Sequence, residues 1–134
     1  MDKKEAKLQY KLSRRPMGIY QVRNLVNGKV WINSSLNLPG SINGDRVKLN
    51  GGPHHPSQSL LAEWKEFGES NFVFEVLEEL FPRSDANYDY KSDLAALKDL
   101  WLEKLEPFGE QGYNEPKKTF EERLRMIADK GLSK

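Results

Sequence analysis

Gly18-Ile19-Tyr20 and, after ten further residues, Trp31-Ile32-Asn33 hold side chains suited to chemistry in the first third of this chain. The Tyr20 phenol can donate or accept a proton, whereas the Trp31 indole offers an N–H donor and nothing basic. The only histidines are adjacent, His54 and His55, and two neighbouring imidazoles without a third ligand make a poor metal site. No cysteine occurs, so there is no thiolate nucleophile, sulfur ligand or disulfide, and an intracellular compartment is the simplest expectation. Farther along, Lys98 lies four residues after Leu94, three before Trp101 and seven before Leu105, inside the apolar stripe of a predicted helix. An ammonium in a closed core is costly without a partner. Lys98 is therefore expected to border an open cleft, or to run its stem along the surface to water.

These groups need elements to position them. Gly18–Asn24 and Lys29–Asn33 are β-branched and aromatic runs flanking Asn27-Gly28, the strongest short signal for a type I′ hairpin. Pro39-Gly40 is expected to break the chain, with a helix from Ser41 to about Leu49, followed by the loop Asn50-Gly-Gly-Pro-His-His-Pro56. Ser57 is a plausible N-cap for a helix through Leu60, Leu61, Trp64 and Phe67 that stops at Gly68. Asn71–Leu80 alternates at Phe72, Phe74 and Val76, the pattern of a strand with one buried face. A helix over Tyr90–Leu105 carries Leu94, Leu97, Trp101 and Leu105 at core spacing and ends before Pro107. Thr119-Phe-Glu-Glu122 is a capping box opening a last amphipathic helix through Leu124 and Ile127. The fold class is α+β: a small antiparallel sheet of about three strands with helices packed around it. Three regions follow: a basic arm or helix over 1–16, a domain over 17–115 and a C-terminal amphipathic helix over 116–134.

At 134 residues, with 37% hydrophobic and 31% charged positions, the chain has room for one domain and one core. The opening Met-Asp-Lys-Lys-Glu-Ala-Lys lacks a signal-peptide core, and no run approaches the about 20 apolar residues of a membrane span. A cytoplasmic protein without a membrane partner is expected. The net charge of +1 conceals a segregation: residues 1–74 hold 11 Lys/Arg against 6 Asp/Glu, residues 75–110 hold 4 against 10, and residues 111–134 hold 6 against 4. That division suits a basic face able to meet phosphates, since local potential governs nucleic-acid affinity. It equally suits charges that average out over a solvated surface.

The hairpin Met17–Ser35, the pattern His55…Leu60…Trp64…Phe67-Gly68…Phe72…Phe74-Glu-Val-Leu-Glu78, the helix with Leu100-Trp101-Leu102 and the terminal Gly112-Tyr113-Asn114 together resemble the GIY-YIG endonuclease family over approximately residues 17–114. A lone GIY is weak evidence, and the ordered set is specific. The resemblance implies a GIY-YIG-like fold and metal-dependent cleavage of a DNA strand. In that family the GIY tyrosine helps activate water, an arginine on the first helix steadies the phosphate, and a glutamate on a later helix holds one divalent cation that acts as Lewis acid and template.

Carried over position by position, these roles meet departures. Tyr20 keeps its phenol. Trp31 stands where the second tyrosine is expected, and Asn33 where the glycine is expected, although asparagine tolerates positive φ better than most residues. Eight residues past Asn33, at the arginine position, is Ser41, which cannot supply a guanidinium fork. Arg46 is the nearest substitute, and five residues along a helix is a rotation of about 140°. The glutamate position is Lys98, a cation in place of an anion. His55 matches a histidine in this region of family members and Asn114 the asparagine after the last Gly-Tyr.

The family-equivalent catalytic positions are thus Tyr20, Trp31, Ser41, His55, Lys98 and Asn114, with Arg46, Lys48 and Lys98 as nucleic-acid contacts and no metal ligands assigned. The expected function is a nucleic-acid-binding pseudonuclease, bound to DNA or other nucleic acid and needing no cofactor. Two alternatives remain open. One is an active endonuclease using Mg²⁺ or Mn²⁺ with Arg46 on the phosphate and Asp45 or Glu103 on the metal. The other is a protein-interaction module using exposed aromatic side chains.

Overall fold

The computed structural model describes residues 15–51, 55–82, 88–116 and 120–132. Strand β1 (Met17–Asn24) pairs antiparallel with β2 (Val30–Ser35) on one side and with β3 (Phe72–Leu80) on the other, giving the order β2-β1-β3. The central strand is buried on both faces along nearly its whole length, the polar Gln21 and Asn24 included. This is the expected α+β class, with three antiparallel strands and helices.

The register between β1 and β3 shifts between Ile19 and Tyr20, a bulge that lets Leu77 fall outside the pairing. The irregularity brings the two backbones unusually close: a Cβ on Gly18 would lie 2.0 Å from the Glu78 carbonyl oxygen. Glycine at the start of the Gly-Ile-Tyr triplet is therefore a steric requirement of the sheet. The expected buried face of β3 is covered at its start only. Phe72 is buried and Phe74 partly so, but Val76 is 52% exposed.

The hairpin joins β1 and β2 as expected, though its loop spans Leu25–Gly28 instead of a two-residue type I′ turn. Asn24 N–H donates to the Lys29 carbonyl at 2.9 Å and Gly28 N–H to the Asn24 carbonyl at 2.8 Å. Gly28 takes φ +77°, while Asn27 keeps a negative φ, and type I′ requires positive φ at both centres. Side chains select the longer loop. The Asn24 side-chain oxygen Oδ1 accepts Val26 N–H at 2.8 Å, its side-chain amide donates to Tyr113 Oη at 3.0 Å, and Leu25 N–H is drawn to the Asn71 carbonyl at 2.8 Å.

Helix α1 covers Leu38–Leu49, beginning three residues before the expected Ser41. Pro39 opens this helix because the first turn needs no N–H there, and the Asn37 side chain caps it by accepting Gly40 N–H at 3.2 Å. Helix α2 (Gln58–Phe67) has Ser57 as N-cap and Gly68 as C-cap, as the sequence suggests. Helix α3 covers Tyr90–Leu105 and closes on Glu106 in the left-handed region, just before Pro107. Its apolar stripe is buried at Tyr90 and Leu94, while Leu105 is 38% exposed. Helix α4 spans Phe120–Leu132, with Leu124 and Ile127 exposed. The capping-box residue Thr119, His54 and the basic run over 1–14 lie outside the described residues.

Tyr20, Val22 and Trp31 on one face of the sheet form the main core with Leu38 and Leu49 of α1, Leu60 and Trp64 of α2, Phe72 and Tyr113. Ile19, Gln21 and Ile32 alternate to the opposite side, where α3 packs across β2 and β1. The outer edge of β2 is closed by residues 112–114: Gly112 bridges Val30 in parallel and Tyr113 N–H reaches the Val30 carbonyl at 2.9 Å. No helix among the described residues is long and apolar enough to cross a membrane.

Candidate functional site

Tyr20 and Asn33 are cross-strand partners on the face of the sheet that α1 covers. Ser41, Asp45 and Lys48, at positions i, i+4 and i+7 of α1, turn toward the same place. Together with Trp31 these residues line a cleft of about 420 Å³. The remaining rim comes from Asn37, Gly40, Gly44 and Pro56.

Two hydrogen bonds involve the cross-strand pair at the cleft, one from Lys98, which lies outside the cleft lining, and one to Asp45. Lys98 Nζ donates to Asn33 Oδ1 at 3.2 Å. Asn33, the cross-strand partner of Tyr20, lines the cleft beside the phenol and favours its ionised form. Tyr20 Oη in turn donates to Asp45 Oδ2. Burial first, then the bond to Asp45 and its negative charge, push the Tyr20 phenol far above its ordinary value of 10.0, and Asn33 opposes this only in part. Burial holds the Lys98 ammonium below its ordinary value of 10.5, with Asp99 pulling the other way.

His55, fully buried, faces the far side of the same carboxylate. Its Nδ1 accepts Ser57 N–H at 3.0 Å, so a neutral ring carries its proton on Nε2. Nε2 stands 3.5 Å from Asp45 Oδ1 and has no hydrogen-bond partner. Trp31 packs edge-on against both neighbours, with ring centroids 4.5 Å from His55 and 6.2 Å from Tyr20. An indole at this position fills space between the two polar side chains and adds no base.

The other sequence-derived positions separate. Ser41 Oγ lies 2.5 Å from Ser35 Oγ, which also accepts Asn37 N–H at 2.9 Å, so Ser41 helps staple the start of α1 to β2. Asn114 lies outside the cleft lining: its carbonyl oxygen accepts Ile32 N–H at 2.8 Å and its amide donates to the Ile32 carbonyl at 2.9 Å. This side chain completes the edge of β2 as a further strand would. Arg46 is also absent from the cleft lining; it pairs with Glu69 at 3.4 Å and lies over the Phe74 ring at 4.9 Å. Glu103 is exposed on α3.

A divalent cation does not fit the donors present. Among the described residues no three His, Asp or Glu side chains converge. At the position where the family resemblance implies a carboxylate stands the Lys98 ammonium, and it occupies the Asn33 amide oxygen. The one carboxylate in the cleft, Asp45, is engaged by the phenol. Sequence reasoning named Asp45 only as a possible metal ligand and gave Asn33 no bridging role. The signal for Asp45 was its spacing, one helical turn after Ser41 and one before Lys48. Nothing in the sequence pointed to the Lys98–Asn33 contact, because α3 meets β2 only in the folded chain.

No family model and no curated protein matches the chain. Two solved structures do. The catalytic domain of the homing endonuclease I-TevI is similar at 25% identity and a TM-score of 0.62, covering 75% of this chain and 99% of that one. A glutamate-to-alanine mutant of the catalytic domain, described as an intron endonuclease, is similar at 26% identity and a TM-score of 0.62, covering 78% and 98%. With its three-stranded antiparallel sheet, its flanking helices and the Gly18-Ile19-Tyr20 strand at the centre, this chain has a GIY-YIG-like fold, that of a homing-endonuclease catalytic domain.

Proposed function

We propose that this protein is a nucleic-acid-binding domain on a nuclease fold whose hydrolytic chemistry is lost. The supporting observation is the pair of hydrogen bonds Lys98–Asn33 and Tyr20–Asp45, set on the cross-strand partners Asn33 and Tyr20. A phenol can accept a proton from water only through an available oxygen lone pair and with help in carrying negative charge. Here the phenol donates to Asp45, and burial and the adjacent carboxylate disfavour a phenolate. The phenol is thus held as a donor to a carboxylate instead of being free to take a proton from water. Lys48 on the rim, with Lys98 behind Asn33, supplies positive charge that binds phosphate without a metal.

The test uses purified protein with supercoiled plasmid and labelled oligonucleotides. The expected result is retention of nucleic acid at low salt, unaffected by chelator and falling steeply as salt rises, with no nicking in Mg²⁺ or Mn²⁺. Metal-dependent nicking that disappears in Tyr20→Phe would overturn the reading in favour of an active nuclease. Failure to bind any DNA or RNA at low salt would overturn it in favour of a protein-interaction module.

A further inference from the structure

Asp45 gives the floor of the cleft a sign that does not suit a phosphate. Its side chain keeps 8% of its surface open and lines the cavity. Among the described residues only Oδ2 carries a hydrogen bond, from Tyr20. Oδ1 faces His55 Nε2 at 3.5 Å, and Nε2 finds no hydrogen-bond partner, so this oxygen retains acceptor capacity. A carboxylate offers about four lone-pair sites, and a phosphodiester approaching it would meet like charge. The positive group of the lining, Lys48, sits one turn farther along α1.

We propose that the cleft takes the edge of one unpaired base that presents paired N–H donors, guanine being the match, while Lys48 meets the flanking phosphate. This rests on the nucleic-acid-binding reading above and specifies its ligand as single-stranded. Guanine N1–H and N2–H₂ lie side by side on the edge that base pairing hides in a duplex, and together they suit a carboxylate acceptor. Thymine sets a carbonyl oxygen on each side of its single N–H, which a carboxylate repels. Adenine places an acceptor next to its amino group. A volume of about 420 Å³ is within the range of small-molecule sites, and reading an extruded base by its pairing edge is a common use of such pockets.

Fluorescence anisotropy with labelled oligothymidylate 11-mers distinguishes the outcomes, the central residue being guanine, inosine, adenine or thymine, in DNA and in RNA. The expected result is about tenfold tighter binding for central guanine than for thymine, with inosine, which lacks the N2 amino group, in between. Pairing the guanine in a duplex abolishes the preference. Asp45→Asn brings the four oligonucleotides to within about twofold of one another, and Lys48→Gln weakens all of them alike. Equal, salt-dependent binding of all four by the wild-type protein would overturn this inference and leave the broader reading standing. Binding of none would overturn both. The guanine–inosine comparison needs no variant and so decides the matter even if Asp45→Asn fails to fold. Preference shared by free GMP at equal concentration would assign the pocket to a nucleotide instead of a strand and overturn the single-strand proposal.

Discussion

Replacing Tyr20 by phenylalanine deletes one oxygen atom from a side chain that is 1% exposed and leaves the packing of the ring intact. No cavity forms, so the change in stability reports the hydroxyl alone. Asp45, 6% exposed, would lose its only hydrogen-bonded donor on Oδ2, and water has little access to replace it. Hydrogen bonds to charged groups contribute about 1.5–3 kcal/mol, and an unsatisfied buried charge costs at the upper end. The neighbouring Asn33 lines the cleft and keeps its bond from Lys98. The expected loss is therefore about 2–3 kcal/mol, a sizeable part of a typical total of about 5–15 kcal/mol. Urea unfolding followed by tryptophan fluorescence measures it, with an unchanged m-value as the control for two-state behaviour. A cycle with Asp45→Asn should return a coupling of about 1 kcal/mol or more. A loss below about 0.5 kcal/mol with no coupling would mean that the phenol and carboxylate do not hold each other, and the account of a locked site would fail.

Other consequences concern titration, the edge of β2 and the bulge. Because the folded-state pKa of Tyr20 is raised above 10.0, the native state keeps a proton that the unfolded chain loses, so stability falls as pH rises past 10. Urea midpoints across alkaline pH should fall less steeply in Tyr20→Phe, with the slope that remains due partly to Tyr113, whose phenol is also raised by burial. Lys98 has the opposite sign: its pKa lies below 10.5, the unfolded chain binds the extra proton, and stability gains as pH rises toward 10.5, a gain that Lys98→Met should abolish. Asn114→Ala removes two hydrogen bonds from the Ile32 backbone and should cost about 2–3 kcal/mol in urea unfolding, while affinity of the folded protein for oligonucleotides changes by less than about twofold. Gly18→Ala places a methyl group 2.0 Å from the Glu78 carbonyl oxygen and should cost about 1–3 kcal/mol or more through displacement of β3.

Local sequence determined a good deal of this molecule. Ser57 and Gly68 delimit α2 because capping acts over three or four residues, and the 90–105 helix follows from its apolar period and the proline after it. The ordered hairpin, helices and terminal Gly-Tyr-Asn were sufficient to point to the fold. Where expectation and structure differ, a partner distant in the chain decided the outcome. The hairpin loop is longer than its Asn-Gly pair suggests because Asn24 and Leu25 are held by Tyr113 and Asn71. Val76 keeps its pairing with Tyr20 and is exposed on β3, an outer strand of the sheet.

The cleft divides in the same way. Its helical half was readable, since Ser41, Asp45 and Lys48 share a face by spacing alone. Its electrostatic pairing was not, because Lys98 and Asn33 are 65 residues apart and meet across α3 and β2, while Asp45 accepts a hydrogen bond from a tyrosine 25 residues earlier. Residue types and intervals fix periodic faces and caps, which depend on near neighbours. The sign and strength of a charged site depend on which groups share a low-dielectric space, and only the packing of β2 between α1 and α3 brought this cation, amide, phenol and carboxylate into one line.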